Sequence, residues 1–256
     1  MTISVLTLFP EMFKGPFSHS IIKNAIDKKL LRLNFVNIRD FGIGKHKTVD
    51  DRPYGGGKGM MLRVDVLLDA LESAKTNFKK KAKSKSARLA SQPASQAERG
   101  GQGESVAGRQ KIVLLDPQGT IYNQKKAQEF SSLDHLILIC GHYEGFDARI
   151  KEFIDEEISV GDYILTGGEI PAMAIIDSVV RLKHGVLPQN AADIESFSSR
   201  DGSTLLEYPQ YTRPENFKNL KVPKILLSGN HQKVKEWREK QSIKITKKKR
   251  PDLLKH

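Results

Sequence analysis

Residues 136–181, LILICGHYEGFDARIKEFIDEEISVGDYILTGGEIPAMAIIDSVVR, contain the clearest sequence signals for the fold. They hold two short apolar runs, Leu136–Cys140 and Ile158–Leu165, which predict buried strands. Glycine follows each run, as Gly141 and then as Gly167 with Gly168, and glycine lets a chain turn sharply and lets a ligand approach its amides. Ligands of open α/β sheets bind at the carboxyl ends of strands, so we expect a binding crevice where these runs end.

The residues that follow the two runs in sequence are compatible with a binding site or with a structural unit that binds no ligand. Polar side chains come directly after each run: His142, Tyr143 and Glu144, then Thr166 and Glu169. A helix is predicted next, because Pro171 suits a first helical turn and Ile175, Val179 and Leu182 recur on one face. An ordinary buried strand–helix unit has the same pattern, and the glycine spacing alone leaves both interpretations open.

Strand and helix patterns alternate along much of the remaining chain. Strands are predicted at Ile3–Phe9, Leu33–Ile38 and Lys111–Leu115. Helices are predicted to begin near Ser20 and Asp65, to run from about Asn123 to Phe130, and to lie near Asp147–Ile154. This alternation predicts an α/β fold with a parallel sheet.

The net charge of +12 is unevenly distributed. Residues 111–212 carry 8 basic and 16 acidic side chains, whereas residues 75–110 carry 9 and 2 and residues 213–256 carry 14 and 4. Basic appendages beside an acidic core indicate a polyanion that one part of the chain holds and another part acts on. A lysine-rich terminus that serves only solubility is the alternative.

Composition also excludes several classes of protein. Cys140 is the single cysteine, so an internal disulfide is excluded, and its apolar setting predicts a buried structural thiol rather than a nucleophile. No apolar run approaches the about 20 residues that span a bilayer, and the first residues lack the basic start of a signal peptide. We therefore expect a soluble cytoplasmic protein.

Three segments read as irregular. Residues 39–62 mix glycines with charged and aromatic side chains, which favours a functional loop, although they match neither a P-loop nor a dinucleotide-binding motif. Residues 75–110, mostly Ser, Ala, Gly, Gln and Lys, predict a disordered insertion. Residues 186–204 read as a flexible linker.

A last helix is predicted beyond this linker, with Asn230 as its cap. Its inward side chains would be Val234, Trp237 and Ile245, and its outward side chains Lys233, Lys235, Arg238 and Lys240.

Several long motifs occur in the order in which one known family has them. They are LTLFPEMF at 6–13, TVDDRPYGGGKGM at 48–60, DPQG at 116–119, CGHYEG at 140–145, IDEE at 154–157, SVGDYILTGGE at 159–169, PAM at 171–173, YPQYTRPE at 208–215, LLSGNH at 226–231 and the WR and KQS of 237–242. Over nearly its whole length, except residues 75–110, the chain resembles the bacterial tRNA (guanine-N1) methyltransferases of the TrmD type.

This resemblance implies a fold that glycine spacing does not reveal. The family's α/β fold has a knotted (trefoil, SPOUT-type) methyltransferase domain, expected here at 1–185, in which the chain from Leu136 onward threads through a loop. A flexible linker at 186–204 and a small, basic, mainly helical tRNA-binding domain at 205–256 would follow. The resemblance also implies a homodimer with an active site shared between subunits, S-adenosylmethionine as methyl donor, and N1-methylguanosine 3′ of the tRNA anticodon as product.

Two catalytic residues are implied by the same motifs. The family's arginine on the helix after PAM falls on Arg181, which would contact the target guanine; an arginine at a helix end that only interacts with the dipole is the alternative. The family's general base is an aspartate before Ser-Phe, and this chain has Glu195 there, with Asp193 two residues earlier. We prefer Glu195, because a base must first satisfy geometry.

The resemblance also implies two sets of binding residues. The cofactor-binding set is Leu115, Pro117, Gly141, Tyr143, Glu144, Gly145, Val160, Gly161, Asp162, Tyr163, Ile164, Leu165, Gly167, Gly168 and Pro171. The tRNA-binding set is His46, Asp50, Arg52, Tyr54, Arg213, Lys247, Lys248, Lys249 and Arg250. The family is compatible with a Mg²⁺ requirement, but the sequence names no ligand set and no Cys/His cluster has structural-metal spacing.

Two other functions remain open at this point. A catalytically weak tRNA-binding relative would keep the basic C-terminus and lose turnover through the change from aspartate to Glu195; the intact glycine segments argue against it. A knotted methyltransferase of ribosomal RNA is disfavoured by the YPQYTRP and LLSGNH segments. The main interpretation is a tRNA methyltransferase.

Overall fold

The structure, a computed structural model, describes residues 1–90, 108–188, 191, 195–197, 199–200 and 203–254. The chain divides into two compact units, Met1–Val186 and Leu187–His256. Within the described residues, no helix is long and apolar enough to cross a membrane.

The first unit is built on a parallel sheet. Its strands are β1 (Thr2–Thr7), β2 (Arg32–Asn37), β3 (Asp50–Asp51), β4 (Met61–Leu62), β5 (Gln110–Ile121), β6 (His135–Cys140) and β7 (Glu156–Ser159). Five of them form the sheet in the order β2-β1-β6-β5-β7, and every neighbouring pair is parallel. The predicted α/β class with a parallel sheet is confirmed.

Helices cover both faces of this sheet. They are α1 (Ser20–Asp27), α2 (Val64–Ala90), α3 (Gln124–Ser131) and α4 (Glu169–Val180), with short 3-10 helices at Pro10–Phe13, Ile38–Phe41 and Ala148–Phe153. Every residue of the central strand β6 is buried. Leu136 and Leu138 belong to a hydrophobic cluster with α1, α3 and α4, while Ile137 and Ile139 belong to a second cluster with α2. Successive side chains of a strand point to opposite faces, so β6 anchors both layers.

Several helix boundaries depend on side chains that the sequence indicates. Asn123 caps α3, where its side chain accepts the backbone N–H of Lys126 at 3.1 Å. Pro171 lies in the first turn of α4, as predicted. The helix expected to begin near Ser20 does so: Ser20 is the first residue of α1, and His19, rather than Ser20, occupies the N-cap position in extended backbone. The helix expected near Asp147–Ile154 is a 3-10 helix, capped by the Asp147 carboxylate.

The strand predicted at Ile158–Leu165 is wrong over most of its length, because β7 ends at Ser159. The Ser159 hydroxyl accepts the N–H of Gly161 at 3.2 Å and donates to its carbonyl at 3.0 Å, so the chain turns around this side chain. Tyr163 and Ile164 are then 57% and 80% exposed. Apolar periodicity does not distinguish such an exposed apolar loop from a buried strand.

The disorder predicted for residues 75–110 does not hold at either end of that range. Helix α2 continues through Ala90, and residue 110 begins β5, while residues 91–107 lie outside the described residues. Ala74 is fully buried in the second cluster, and Phe78, one helical turn later, stacks on the ring of His135. The average polarity of residues 75–110 hides the contact of Phe78, because one aromatic side chain hardly changes the average of a long polar segment.

The second unit is dominated by one helix, α5 (His231–Lys249), which Asn230 caps as predicted. Its other elements are β8 (Ser199–Arg200), β9 (Ser203–Thr204), β10 (Asn216–Phe217), β11 (Leu220–Lys221) and the 3-10 helices Lys224–Leu227 and Pro251–Leu254. The four predicted outward basic residues of α5 are exposed, whereas Val234, Trp237 and Ile245 are only partly buried. Ser242 and Thr246 are its buried side chains, and the Thr246 hydroxyl accepts the N–H of Leu206 at 2.9 Å.

Candidate active site

Three chain segments meet at the carboxyl ends of β5, β6 and β7. In β5, Leu115 and Thr120 both pair with Ile158, so the residues between them leave the ladder as a bulge. The segment after β6 and the loop after β7 come together where Gly168 donates its N–H to the carbonyl of Gly141 at 2.9 Å. The crevice expected at these strand ends is therefore present in the first unit.

Two glycines let these segments pack backbone against backbone. A Cβ on Gly168 would lie 2.6 Å from the Cα of Cys140, and a Cβ on Gly119 would lie 2.4 Å from the carbonyl carbon of Glu157. Real Cβ atoms essentially never come closer than 3.0 Å to such atoms. Any side chain at either position would push the backbones apart, so local crowding selects glycine here independently of any ligand.

The crevice holds a cavity of about 400 Å³. Every residue of the predicted cofactor-binding set except Asp162 lines it. Residues outside that set line it too: Asp116, Gln118, His142, Phe146, Ile158, Ser159 and Thr166. The exposed apolar side chains of Tyr163 and Ile164 form part of one wall. The volume and the mixed lining suit one drug-sized organic ligand with a few polar groups.

His142 is the lining residue with an unmet hydrogen-bonding need. Its Nδ1 atom is buried and has no hydrogen-bond partner among the described residues. The ring sits edge-on between Phe9, at 5.0 Å between centroids, and Tyr143, at 4.8 Å. A buried polar atom without a partner calls for an explanation, and a ligand in the cavity that His142 lines provides one.

Gly167 leaves room for polar atoms beside that ring. A Cβ on Gly167 would lie 3.1 Å from His142 Nδ1 and 2.4 Å from Glu169 Oε2. The Glu169 carboxylate is buried, and its Oε1 accepts the hydroxyl of Thr7 at 2.7 Å. In the sequence, His142 and Glu169 are polar residues that follow the predicted strands, but neither belongs to the predicted cofactor-binding set.

Cys140, at the edge of the same crevice, lies in surroundings that disfavour a nucleophilic thiolate. The thiol is free and fully buried. Burial, and to a lesser degree the nearby Glu169 carboxylate, raises the pKa of the Cys140 thiol well above its ordinary value. The thiolate that nucleophilic chemistry requires is therefore disfavoured, and the predicted structural role is confirmed.

The central loop 39–62 reaches the rim of the cavity through its second half. Its β3 and β4 pair as a short antiparallel ladder. Glu144 donates its N–H to the carbonyl of Met60 at 3.1 Å, and Leu62 donates to Gly145 at 3.0 Å. Of the predicted tRNA-binding residues in this loop, His46 and Arg52 are exposed, Asp50 is partly buried and Tyr54 is fully exposed.

The two residues implied as catalytic belong to different units. Arg181 lies at the carboxyl end of α4 in the first unit, where its backbone N–H donates to the carbonyl of Asp177 at 3.3 Å. Glu195 is a partly buried residue of the second unit. Asp193, the alternative base, lies outside the described residues.

The remaining tRNA-binding candidates are in the second unit. Lys247, Lys248 and Lys249 form the exposed last turn of α5. Arg250 differs from them, because its guanidinium donates to the Asp252 carboxylate at 2.7 Å and lies 5.8 Å from the ring of Phe197. Arg213 is exposed and lines a separate cavity within this unit. In the described part of the chain, no group of three or more His, Cys, Asp or Glu residues is arranged to hold a metal ion.

Comparison with known proteins supplies the chemical context. A family model described as tRNA (Guanine-1)-methyltransferase TrmD matches residues 1–256. A tRNA (guanine-N(1)-)-methyltransferase of Geobacillus kaustophilus is 50% identical over 256 residues, which cover 99% of this chain and 91% of the relative. Proteins of the same name from Carboxydothermus hydrogenoformans and Bacillus subtilis are 48% and 47% identical over 257 residues, all of this chain and 88% and 93% of theirs.

Proposed function

The chain belongs to the tRNA (guanine-1)-methyltransferase TrmD family, and from this premise we propose that it transfers a methyl group from S-adenosylmethionine to N1 of the guanosine 3′ of the tRNA anticodon. The observation that carries the proposal is the cavity at the strand ends, which is lined by nearly all the residues that the family motifs assign to the cofactor. The relatives above all carry the tRNA (guanine-N(1)-) name, which supports neither the weak tRNA-binding relative nor the ribosomal RNA enzyme.

The cavity suits S-adenosylmethionine by size and by chemistry. Its volume of about 400 Å³ is in the range of cofactor pockets. The backbone around Gly141 and Gly168 can approach the ligand closely, Tyr163 and Ile164 offer apolar contacts to an adenine, and His142 Nδ1 offers a polar contact. When bound, S-adenosylmethionine supplies an electrophilic methyl group on a sulfonium sulfur.

The protein's own part in the reaction is to prepare guanine N1. This nitrogen carries a proton at neutral pH and is a poor nucleophile until the proton leaves. We assign the removal of that proton to the Glu195 carboxylate, because a positioned carboxylate is a suitable general base. Negative charge then spreads to O6 of the guanine, where hydrogen bonds from the Arg181 guanidinium stabilise it. Orientation of the two reactants supplies the rest of the rate.

We propose that the first unit has the knotted topology of its family. The close backbone approaches at Gly168 and Gly119 support a chain that is threaded tightly between neighbouring segments. The single hydrogen bond from Gly168 to Gly141 would then fix the loop after β7 against the strand that it passes. Knots are rare in proteins, so this fold would be an exception to the rule that chains avoid them.

We further propose a homodimer in which Arg181 and Glu195 of different subunits share one active site. Exposed apolar side chains support such an interface beside the cavity: Phe9, Met12 and Ile170 are 36%, 45% and 53% exposed. They lie on the first turn of α4 and around the 3-10 helix Pro10–Phe13, which packs against α4. Exposed apolar patches mark interaction sites in soluble proteins, and we propose that these three side chains contribute to one.

The basic second unit is proposed to bind the tRNA, together with the loop that carries His46, Asp50, Arg52 and Tyr54. Residues 213–256 hold 14 basic and 4 acidic side chains, whereas residues 111–212 hold 8 and 16, so the C-terminal segment is the one that attracts a polyanion. A tRNA substrate places the reaction in the cytoplasm. The Mg²⁺ that the family allows finds no ligand set among the described residues, so no step is assigned to it.

A methyl-transfer assay tests the function directly. An unmodified tRNA transcript with guanosine 3′ of the anticodon is incubated with the protein and S-adenosylmethionine labelled in the methyl group, and the product nucleoside is identified by mass and chromatography. We expect N1-methylguanosine. Another methylated nucleoside, or binding of the transcript without transfer, would refute the proposed reaction.

A further inference from the structure

The second unit contains a cavity that the proposed reaction does not use. It has a volume of about 500 Å³ and lies wholly within residues 208–238. The segment around Tyr208 and Tyr211 forms one side, the 3-10 helix with Leu226 another, and the first turns of α5, with Val234 and Arg238, the third. Its lining is partly aromatic, partly aliphatic and partly cationic, which is unlike a plain packing defect.

Stacking surfaces are already formed in this cavity. The guanidinium carbon of Arg238 lies 4.8 Å from the ring centroid of Tyr208, a cation–π arrangement. Tyr211 is 49% exposed, and its ring centroid lies 6.5 Å from that of Trp237. Proteins bind unstacked bases of single-stranded RNA between aromatic rings and arginine planes of this kind.

Charge selects the same class of ligand. The surrounding segment 213–256 carries 14 basic and 4 acidic side chains, and Glu215 is the acidic residue in the lining. Arg213 is exposed at the cavity, in position to meet an anion. A flat apolar group with an attached phosphate satisfies both the aromatic walls and the positive field, whereas a neutral or cationic ligand satisfies only one of them.

The aliphatic side chains of the lining favour a bound ligand, because they are exposed to solvent when the cavity is empty. Leu227 is 51% exposed, and Leu226 and Val234 are only partly buried. Among the described residues of this unit, the buried side chains are Ser242 and Thr246, and Tyr211 and Leu227 of the cavity lining are among its exposed large apolar side chains. Burial of that surface under a base would contribute to affinity.

We propose that this cavity binds one unstacked nucleobase of the RNA substrate, with Tyr208 and Tyr211 against the base and Arg213 or Arg238 on the adjoining phosphate. The inference rests on the proposed function in one respect, namely that the substrate is a tRNA. The base comes from a single-stranded part of that tRNA, since paired bases in a duplex do not present their faces. The cavity therefore adds a second base-reading contact, apart from the cofactor crevice.

Salt dependence separates this stacking contact from ordinary phosphate contacts. The full-length protein and its Tyr211→Leu, Tyr211→Phe and Lys247→Gln variants are titrated with an unmodified tRNA transcript at several salt concentrations. Tyr211→Leu should weaken binding by about 5- to 150-fold at every concentration with an unchanged slope, because it removes a ring and no charge. Tyr211→Phe should keep nearly full affinity. Lys247→Gln should instead lower the slope by about one.

A fluorescence experiment tests base binding in the cavity independently of methyl transfer. A single-stranded RNA oligonucleotide containing 2-aminopurine should lose fluorescence on binding to the wild-type protein, and Tyr211→Leu should abolish that quenching. If the Tyr211→Leu variant binds tRNA and quenches the fluorescence as the wild type does, and methyl transfer is intact, only the base-binding proposal is overturned. Quenching that depends on Tyr211 in a protein that does not methylate tRNA would overturn the proposed function alone. A change in sedimentation instead of RNA affinity would assign the cavity to a second copy of the chain and overturn the base-binding proposal.

Discussion

Phe78 stacks on His135: their ring centroids lie 4.3 Å apart and their planes are inclined by 22°. His135 begins the central strand β6, where its two ring nitrogens contact Ser4 Oγ at 2.9 Å and Gln110 Oε1 at 3.0 Å. This contact ties the middle of α2, in a segment whose composition predicts disorder, to three neighbouring strands of the sheet. Residues 75–80 are therefore part of the folded unit.

Removal of the Phe78 ring should destabilise the protein. Phe78 is partly buried, so Phe78→Ala should lower the free energy of unfolding by about 1–3 kcal/mol, less than a fully buried phenylalanine would. The adjacent exposed Lys79 gives a matched control, and Lys79→Ala should have almost no effect. Urea unfolding followed by circular dichroism measures both. Equal stability of the two variants would mean that α2 does not depend on its contact with His135.

His135 should make the fold sensitive to acid. Burial lowers the pKa of His135 to about 4, whereas the unfolded chain has an ordinary histidine pKa near 6.5. The unfolded state therefore binds the proton first, and stability should fall as the pH drops through 6.5 toward 4, by at most about 1.4 kcal/mol per pH unit. Above pH 6.5 this contribution is fully present.

Comparison of two variants isolates that contribution. His135→Gln should flatten the decline in unfolding free energy between pH 7 and pH 4.5, because glutamine does not titrate. His19→Gln, at an exposed histidine, should leave the wild-type profile unchanged. A profile of His135→Gln as steep as that of the wild type would assign the acid sensitivity to other groups.

His142 should contribute to cofactor affinity through one nitrogen only. The amide of asparagine falls near the position of Nδ1, whereas that of glutamine falls near Nε2. His142→Asn should therefore bind S-adenosylmethionine within a few-fold of the wild type, and His142→Gln should bind about 3- to 100-fold more weakly, the range for one lost hydrogen bond. Isothermal titration calorimetry decides it, and equal affinities for the two variants would contradict a ligand contact at Nδ1.

The basic end of α5 should act through its lysines. Neutralising Lys247, Lys248 and Lys249 together should weaken tRNA binding and reduce the salt slope by up to about three, because each phosphate contact contributes roughly one. Arg250→Gln should change the slope less, because Asp252 already binds its guanidinium. Affinity for S-adenosylmethionine should not change in either variant. An unchanged slope in the triple variant would mean that these lysines form only a solvated tail.

Glu195 should be required for chemistry and not for binding. Glu195→Gln keeps the size of the side chain, so dimerisation, cofactor affinity and tRNA affinity should persist while the methyl-transfer rate falls by on the order of 100-fold or more. Asp193→Asn should have a much smaller effect, and Glu195→Asp should be tolerated if the chain can move by one methylene. Mixed dimers of Glu195→Gln and Arg181→Ala subunits should regain activity. A greater loss in Asp193→Asn would transfer the role of base to Asp193.

Strand–helix alternation was sufficient to predict the parallel sheet, because the central strands are buried on both faces and read as unbroken apolar runs. The same signal failed at residues 160–165, where an exposed loop is as apolar as a strand and the turn depends on one hydroxyl, that of Ser159. Composition failed at Phe78, because its contact with His135 is invisible in an average over a polar segment.

The sequence was sufficient to predict which segments form the candidate site. It was not sufficient to predict the contacts between their side chains. The family motifs contain nearly all the cavity-lining residues, because the resemblance is carried by long motifs whose order is a linear property of the chain. The unpartnered Nδ1 of His142 and the cavity between Tyr211 and Arg238 depend on how distant segments pack. No linear pattern in this chain carries that information.

A single-turnover reaction separates methyl transfer from binding and tests the proposed reaction at its target nucleotide. Wild-type and Glu195→Gln proteins are saturated with S-adenosylmethionine and mixed with a tRNA transcript, and with the same transcript carrying adenosine in place of the guanosine 3′ of the anticodon. We predict rapid formation of N1-methylguanosine by the wild type on the first transcript only, and a rate lower by on the order of 100-fold or more for Glu195→Gln at equal tRNA affinity. Methylation of both transcripts, or equal rates for the two proteins, would contradict it.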